Sequence, residues 1–215
     1  MEFGIWVEPE MINPDSDLYR AHPDWLLAVP EYNQPTGRNQ YALDLQNPDV
    51  FAYLLERLDD LLNRYDISYI KWDMNREIEQ PGHEGKAAIT GQTHAVYRLF
   101  DELRTRHPRV EIESCASGGG RIDFEVLKRT HRFWTSDNND ALERQQIQRG
   151  MSYFFPPEVM GSHIGSAHCH CTARSHSIQF RGLTALFGHM GVELDPVKES
   201  AEEQAGFAHF IKLHK

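Results

Sequence analysis

Ser68-Tyr69-Ile70-Lys71-Trp72-Asp73-Met74-Asn75-Arg76 is an apolar run that ends abruptly in a carboxylate flanked by a lysine and an arginine. Tyr69, Ile70 and Trp72 give residues 68–72 the aromatic and β-branched bulk of a buried strand. Asp73 falls where that strand ends, the position at which barrels and open parallel sheets present their chemistry. Phe133-Trp134-Thr135-Ser136-Asp137 ends in the same way. Two aspartates on two strand tips supply the carboxylate pair that cleavage of a glycosidic bond requires.

Working outward, Phe3-Gly4-Ile5-Trp6-Val7-Glu8 reads as an opening strand, followed by a polar, proline-rich passage over residues 9–39. Loops of that length inside a domain are usually functional. Residues 44–65 carry a helix: Asn47 caps it, Pro48 sits in its first turn, and Phe51, Leu54, Leu55, Leu58, Leu61 and Leu62 share one face. Further helices are predicted over residues 92–106, 124–130, 140–153, 175–187 and 200–213. Strands are predicted over residues 110–114, 132–136, 159–163 and 192–194. Six β-then-α units in succession, with no clear hairpin, demand a parallel sheet covered by helices. An α/β (β/α)8 TIM barrel fits best, represented by about six units. Its first two strands are expected before Met1, because the chain opens inside a strand and closes on a helix. Residues 1–215 are then a partial catalytic barrel, expected to be a poor enzyme alone because an unclosed barrel has open edges.

The 215 residues suit one domain with a sizeable core. A net charge of −10 argues against nucleic acid or an anionic membrane as partner and suits a neutral, soluble substrate. No stretch approaches the roughly 18–20 apolar residues of a membrane span, and no basic-then-apolar leader is visible. Three cysteines, Cys115, Cys169 and Cys171, are few and odd in number, which points to the reducing cytoplasm.

Glu8, Glu10, Asp73, Cys115, Asp137, His163, Glu193 and Asp195 all fall at expected strand tips. A capping role explains any one of them, but caps do not require Lys71, Trp72, Asn75 and Arg76 around Asp73. Lys71 lies two residues before Asp73 on the same strand face, where its charge is expected to hold Asp73 ionised and nucleophilic. Asp137 is the better second carboxylate, since Asp140 is placed to cap the next helix. The glycine-rich turn Ser114-Cys115-Ala116-Ser117-Gly118-Gly119-Gly120-Arg121 lacks the residues of a phosphate-binding loop. It is expected to bring backbone close to a neutral ligand. His168-Cys169-His170-Cys171 has a metal-like composition, but its cysteines are too closely spaced for usual zinc pairs and no second pair exists. A loop lining a sugar pocket is the preferred reading, with no metal and no cofactor.

With these phrases the chain resembles the bacterial α-galactosidases of glycoside hydrolase family 36. The resemblance runs through Trp6-Val7-Glu8-Pro9-Glu10-Met11, Asp15-Ser16-Asp17-Leu18-Tyr19-Arg20, His22-Pro23-Asp24-Trp25 and Arg38-Asn39-Gln40. It continues through Lys71 to Arg76, Cys115 to Arg121, Trp134 to Asn138, Met160-Gly161-Ser162-His163 and Gly188-His189-Met190-Gly191-Val192-Glu193-Leu194. It implies retaining hydrolysis of terminal α-galactose from melibiose- or raffinose-like oligosaccharides, with Asp73 as nucleophile and Asp137 as general acid/base. Arg38, Lys71, Asn75, Cys115 and Gly118 match positions that contact the sugar, and Trp72 and Met74 are counted with them. It also implies an N-terminal β-rich domain and a C-terminal β domain outside this stretch, and a homo-oligomeric, often tetrameric, parent. The rivals are a galactosyl-transferring enzyme, an α-N-acetylgalactosaminidase and a sugar-binding barrel without turnover.

Overall fold

A computed structural model describes residues 2–215, in two compact units. The first comprises the residues up to Ser117 together with Asp123–His131, and the second Gly118–Ile122 with Arg132–Lys215.

In the first unit the elements are β1 (Gly4–Val7), β2 (Met11–Ile12), α1 (Asp17–Ala21), β3 (Tyr41–Ala42), α2 (Pro48–Arg64), β4 (Tyr69–Trp72), β5 (Gly82–His83), β6 (Lys86–Ala87), α3 (Ile89–Arg106), β7 (Glu111–Ser114) and the single turn α4 (Phe124–Leu127). β1, β4 and β7 lie side by side in parallel, with Ile5 opposite Ile70 and Ile70 opposite Ile112. Helix α2 forms as its cap predicts: the Asn47 side chain accepts from the Asp49 amide at 2.9 Å, and Pro48 opens the first turn. Its buried stripe is Val50, Leu54, Leu55, Leu58 and Leu62, while Phe51 and Leu61 are only partly covered. That stripe joins Ile70, Trp72, Leu99, Phe100, Leu103 and Ile112 in one core.

Helix α3 begins at Ile89, ahead of the predicted residue 92; Ala88 at its start has no capping side chain, so no local signal marks that start. Gln92, which looks like a first-turn residue, is instead buried. It accepts from the Leu45 amide (2.9 Å) and donates to the Leu43 carbonyl (3.0 Å), fastening the preceding loop. The connecting segments are not free of pairing either. β2 pairs antiparallel with β3, β5 with β6, and Gly37 bridges Gln40, so the expectation of no hairpin is corrected. These ladders are two residues long, too short to imprint an alternating pattern on the sequence.

In the second unit β8 (Arg132–Trp134), α5 (Ala141–Ser152), β9 (Met160–Gly165), α6 (Ile178–Ala185), β10 (His189–Glu193) and α7 (Ala201–His214) alternate strand and helix. β9 lies parallel to β8 on one side and β10 on the other. Asp140, Ser177 and Ser200 cap α5, α6 and α7, and Ile164, Ile178, Ala185, Phe207 and Phe210 form the core. Two strand ends move relative to expectation. β8 stops at Trp134, leaving Asp137 in the loop beyond. His163 lies inside β9 rather than at its tip, because the ladder with β10 runs on to Gly165 opposite Glu193.

Candidate active site

In the first unit Asp73 is the first residue past β4, its amide donating to the Val7 carbonyl at 2.9 Å, and it is buried. One carboxylate oxygen, Oδ2, accepts from the Trp6 indole Nε1 (3.0 Å) and from Asn75 Nδ2 (2.8 Å). The other, Oδ1, accepts from the Met74 amide (2.8 Å). Burial opposes ionisation, but hydrogen bonds with Cys115, Asn75, Trp6 and the Met74 amide outweigh it and hold the pKa below the usual carboxylate range. The carboxylate is therefore anionic and held by several donors, as a nucleophile at neutral pH must be. Asn75 is itself fixed: its amide donates to Glu8 Oε1 (2.8 Å), and its side-chain carbonyl accepts from Ser117 Oγ (3.3 Å).

The remaining expected residues of this unit divide. Lys71 forms an ion pair with buried Glu113 across the β4–β7 ladder, Nζ to Oε1 at 3.6 Å. Against burial, hydrogen-bond donors, Cys115 foremost, lower the pKa of Asp73. Trp72 faces inward. It is fully buried, its indole donates to Glu10 (2.8 Å), and its ring packs on Phe100. Strand alternation turns it to the core, so it reaches the site only through its neighbours. Met74 packs partly against Met11, Leu27, Ala42 and Ala88 while its backbone serves Asp73. Cys115 is buried immediately after β7, beside Asp73.

Arg38 is exposed at the tip of the Gly37–Gln40 hairpin, where Arg38 (φ 52°) and Asn39 (φ 61°) both take left-handed backbone. Non-glycine residues are strained there, so the surroundings must hold the turn. Buried Arg76 does so by donating to the carbonyls of Pro35, Gln40 and Glu77, and Gln40 Nε2 donates to Glu8 Oε2 at 2.7 Å. Glu8 thereby ties the Arg38 turn and the Asn75 loop to the end of β1.

In the second unit Asp137 is exposed and accepts the Trp134 indole N–H on Oδ1 at 3.0 Å. Gly118 (φ 80°) passes so close that a Cβ there would lie 2.8 Å from the Asp137 amide nitrogen. At Gly118 the glycine-rich turn therefore closes on protein backbone, and only glycine fits there. Asp140 caps α5 through the Leu142 and Glu143 amides (2.9 and 3.2 Å). It is fully buried, and it also accepts from Thr172 and from Arg174 Nε (2.8 Å). Burial opposes its ionisation, yet these donors push its pKa far below the carboxylate range. Residues 168–175 form a small hairpin, with His168 bridged to Ser175 and the Cys169 amide donating to the Arg174 carbonyl. Among the described residues no group of three or more His, Cys, Asp or Glu side chains converges on a metal position.

Three contributors escaped the reading of the sequence. Trp6 reaches Asp73 only because β1 and β4 pair in parallel; half-exposed, its ring suits stacking on a sugar. Glu8 and Trp134 were visible, but only as a strand tip and as part of the strand phrase that ends in Asp137. Their partners lie 67 positions away for Glu8 and in the next turn for Trp134, with no periodic signal for either.

The melibiase family profile matches residues 1–215. An α-galactosidase of Escherichia coli is 68% identical over 215 residues, all of this chain and 30% of that protein. The galactosidase domain of the α-galactosidase–sucrose kinase AgaSK superposes with a TM-score of 0.95 at 40% identity, covering 100% of this chain and 30% of that one. A substituted form of the GH36 α-galactosidase AgaA of Geobacillus stearothermophilus, in complex with raffinose, superposes with a TM-score of 0.94 at 38% identity, covering 100% and 31%. Another form of AgaA was solved with stachyose. The chain thus spans about 30% of the length of the curated α-galactosidase from E. coli that it matches. With this likeness, the parallel β-then-α succession is that of a partial (β/α)8 barrel.

Proposed function

This chain belongs to the melibiase family, glycoside hydrolase family 36, and from that premise we propose that it carries the catalytic carboxylates of an α-galactosidase. The observation that carries the proposal is Asp73, buried yet held anionic by the Trp6, Asn75, Cys115 and Met74 donors. Asp73 attacks the anomeric carbon of a terminal α-galactosyl unit while Asp137 protonates the departing oxygen. Asp137 then takes a proton from water, which releases galactose from the covalent intermediate with retained configuration. Two carboxylates suffice for both steps, and no metal or cofactor enters the mechanism. The exposed Arg38, on its strained turn, together with Lys71 and Asn75, supplies donors for galactose hydroxyls.

Raffinose and stachyose in the AgaA complexes support α-1,6-galactosides, melibiose included, as the substrate class. None of the three cysteines is in a disulfide, in keeping with a reducing compartment, the cytoplasm. No helix among the described residues is long and apolar enough to cross a membrane. The proposed parent is a homo-oligomer.

Assay of the full-length protein on nitrophenyl α-galactoside and nitrophenyl α-N-acetylgalactosaminide tests the activity, with turnover expected on the first alone. Asp73→Ala is expected to lower kcat by about 10⁴-fold or more, as loss of a nucleophile does. Unchanged turnover in that variant would remove Asp73 from the mechanism. Galactose binding by calorimetry without hydrolysis would favour a sugar-binding barrel.

A further inference from the structure

Asp137 stands on an exposed loop, and a general acid must present its proton along one direction to the departing oxygen. Within its own unit the structure contains a device for this. Trp134, at the end of β8, is buried to 2% exposure and donates its indole N–H to Asp137 Oδ1 at 3.0 Å. Its ring is held from two sides. The guanidinium carbon of Arg144 lies 4.4 Å from the ring, and Arg144 is itself buried, donating to Thr135 Oγ1 (2.5 Å) and the Gly161 carbonyl (2.9 Å). The His163 imidazole lies 4.4 Å from the ring at 37°. Glu193 Oε2 fixes His163 at Nδ1 (2.8 Å), and the same oxygen accepts from Asn139 Nδ2 (2.9 Å). Gly191 leaves room for His163: a Cβ there would sit 2.7 Å from the imidazole Cδ2.

We propose that Trp134 is the positioning residue for Asp137, clamped by Arg144 and by the His163–Glu193 pair. An indole N–H can only donate, so the oxygen it faces is the poorer place for a proton. The bond to Oδ1 thus directs the acid's proton to Oδ2 and fixes the plane of the carboxyl group. This deepens the reading of Asp137 as the acid/base and rests on it.

The test is a leaving-group comparison in the full-length protein. kcat/KM is measured for melibiose, whose sugar leaving group needs protonation, and for dinitrophenyl α-galactoside, whose leaving group does not. Trp134→Phe keeps the ring and removes the N–H. We expect a loss of about tenfold on melibiose, the order of one lost hydrogen bond to a charged group, with the activated substrate changed by about twofold at most. Glu193→Gln loosens His163 from outside the core and is expected to show the same selectivity to a smaller degree; it carries the comparison if Trp134→Phe does not fold. A merely structural tryptophan predicts equal losses on both substrates, and that result, or no loss on either, overturns the proposal. Asp137→Ala, measured in parallel, separates the two levels. If it is selective and the Trp134 and Glu193 variants are not, the positioning role alone falls. If it is not selective, Asp137 is not the acid and the positioning role falls with it.

Discussion

At the scale of single residues, Asp73 illustrates how a carboxylate is kept charged while buried. Desolvation favours the neutral acid, and it is overcome by donors: a thiol, a carboxamide, an indole and a backbone amide. Each donor bonds the ionised form better than the protonated one, so removing any of them raises the pKa. Trp6→Phe is therefore expected to move the acidic limb of the kcat/KM–pH profile to higher pH, because Asp73 must be deprotonated to attack. A pH–rate series on nitrophenyl α-galactoside measures this; an unmoved limb would mean that the indole bond does not bear on Asp73's charge. The aspartate itself was legible as the polar end of an apolar strand. Its donors were not, except Asn75 and Met74, which are neighbours in the chain. Sequence spacing puts Lys71 on the face of Asp73 but does not reveal its ion pair with Glu113 on the adjoining strand.

At the scale of elements, Asp140 joins the start of α5 to the hairpin of residues 168–175. The cap was legible, since an aspartate before a helical pattern is a common start signal. The embrace by Thr172 and Arg174, more than thirty positions on, was not. Asp140→Ala is expected to cost at least the roughly 1 kcal/mol of an N-cap side chain and to free the hairpin. Thermal melts and proteolysis within residues 168–175 check this. The pH dependence has a definite sign. The folded-state pKa of Asp140 lies well below the unfolded value of about 3.9. Its ionised form therefore stabilises the fold above that unfolded value, and the contribution fades as pH falls toward the folded pKa. The wild type should lose stability on acidification below about pH 4, and Asp140→Ala should lose less over the same range. Parallel slopes for the two proteins would contradict the assignment.

At the scale of the whole molecule, the proposed two-carboxylate chemistry has a stereochemical consequence that is testable. A covalent galactosyl intermediate on Asp73 inverts the anomeric centre, and water inverts it again, so α-galactose is the first product. Proton NMR during hydrolysis by the full-length protein should show the α-anomer before mutarotation; first appearance of the β-anomer would exclude the covalent intermediate. What the sequence determined by itself is what short-range physics encodes: helices with caps at Asn47 and Asp140, apolar strands ending in Asp73 and before Asp137, and their β-then-α succession. Tertiary structure alone decided the rest. It placed Trp6 on Asp73, turned Trp72 inward to Glu10, paired Lys71 with Glu113, and held Arg38 in a left-handed turn through Arg76 and Glu8. The physical reason is range. Capping and periodicity act within a turn or two, whereas these contacts depend on the parallel register of strands some 40–70 positions apart in the chain, which no local pattern records.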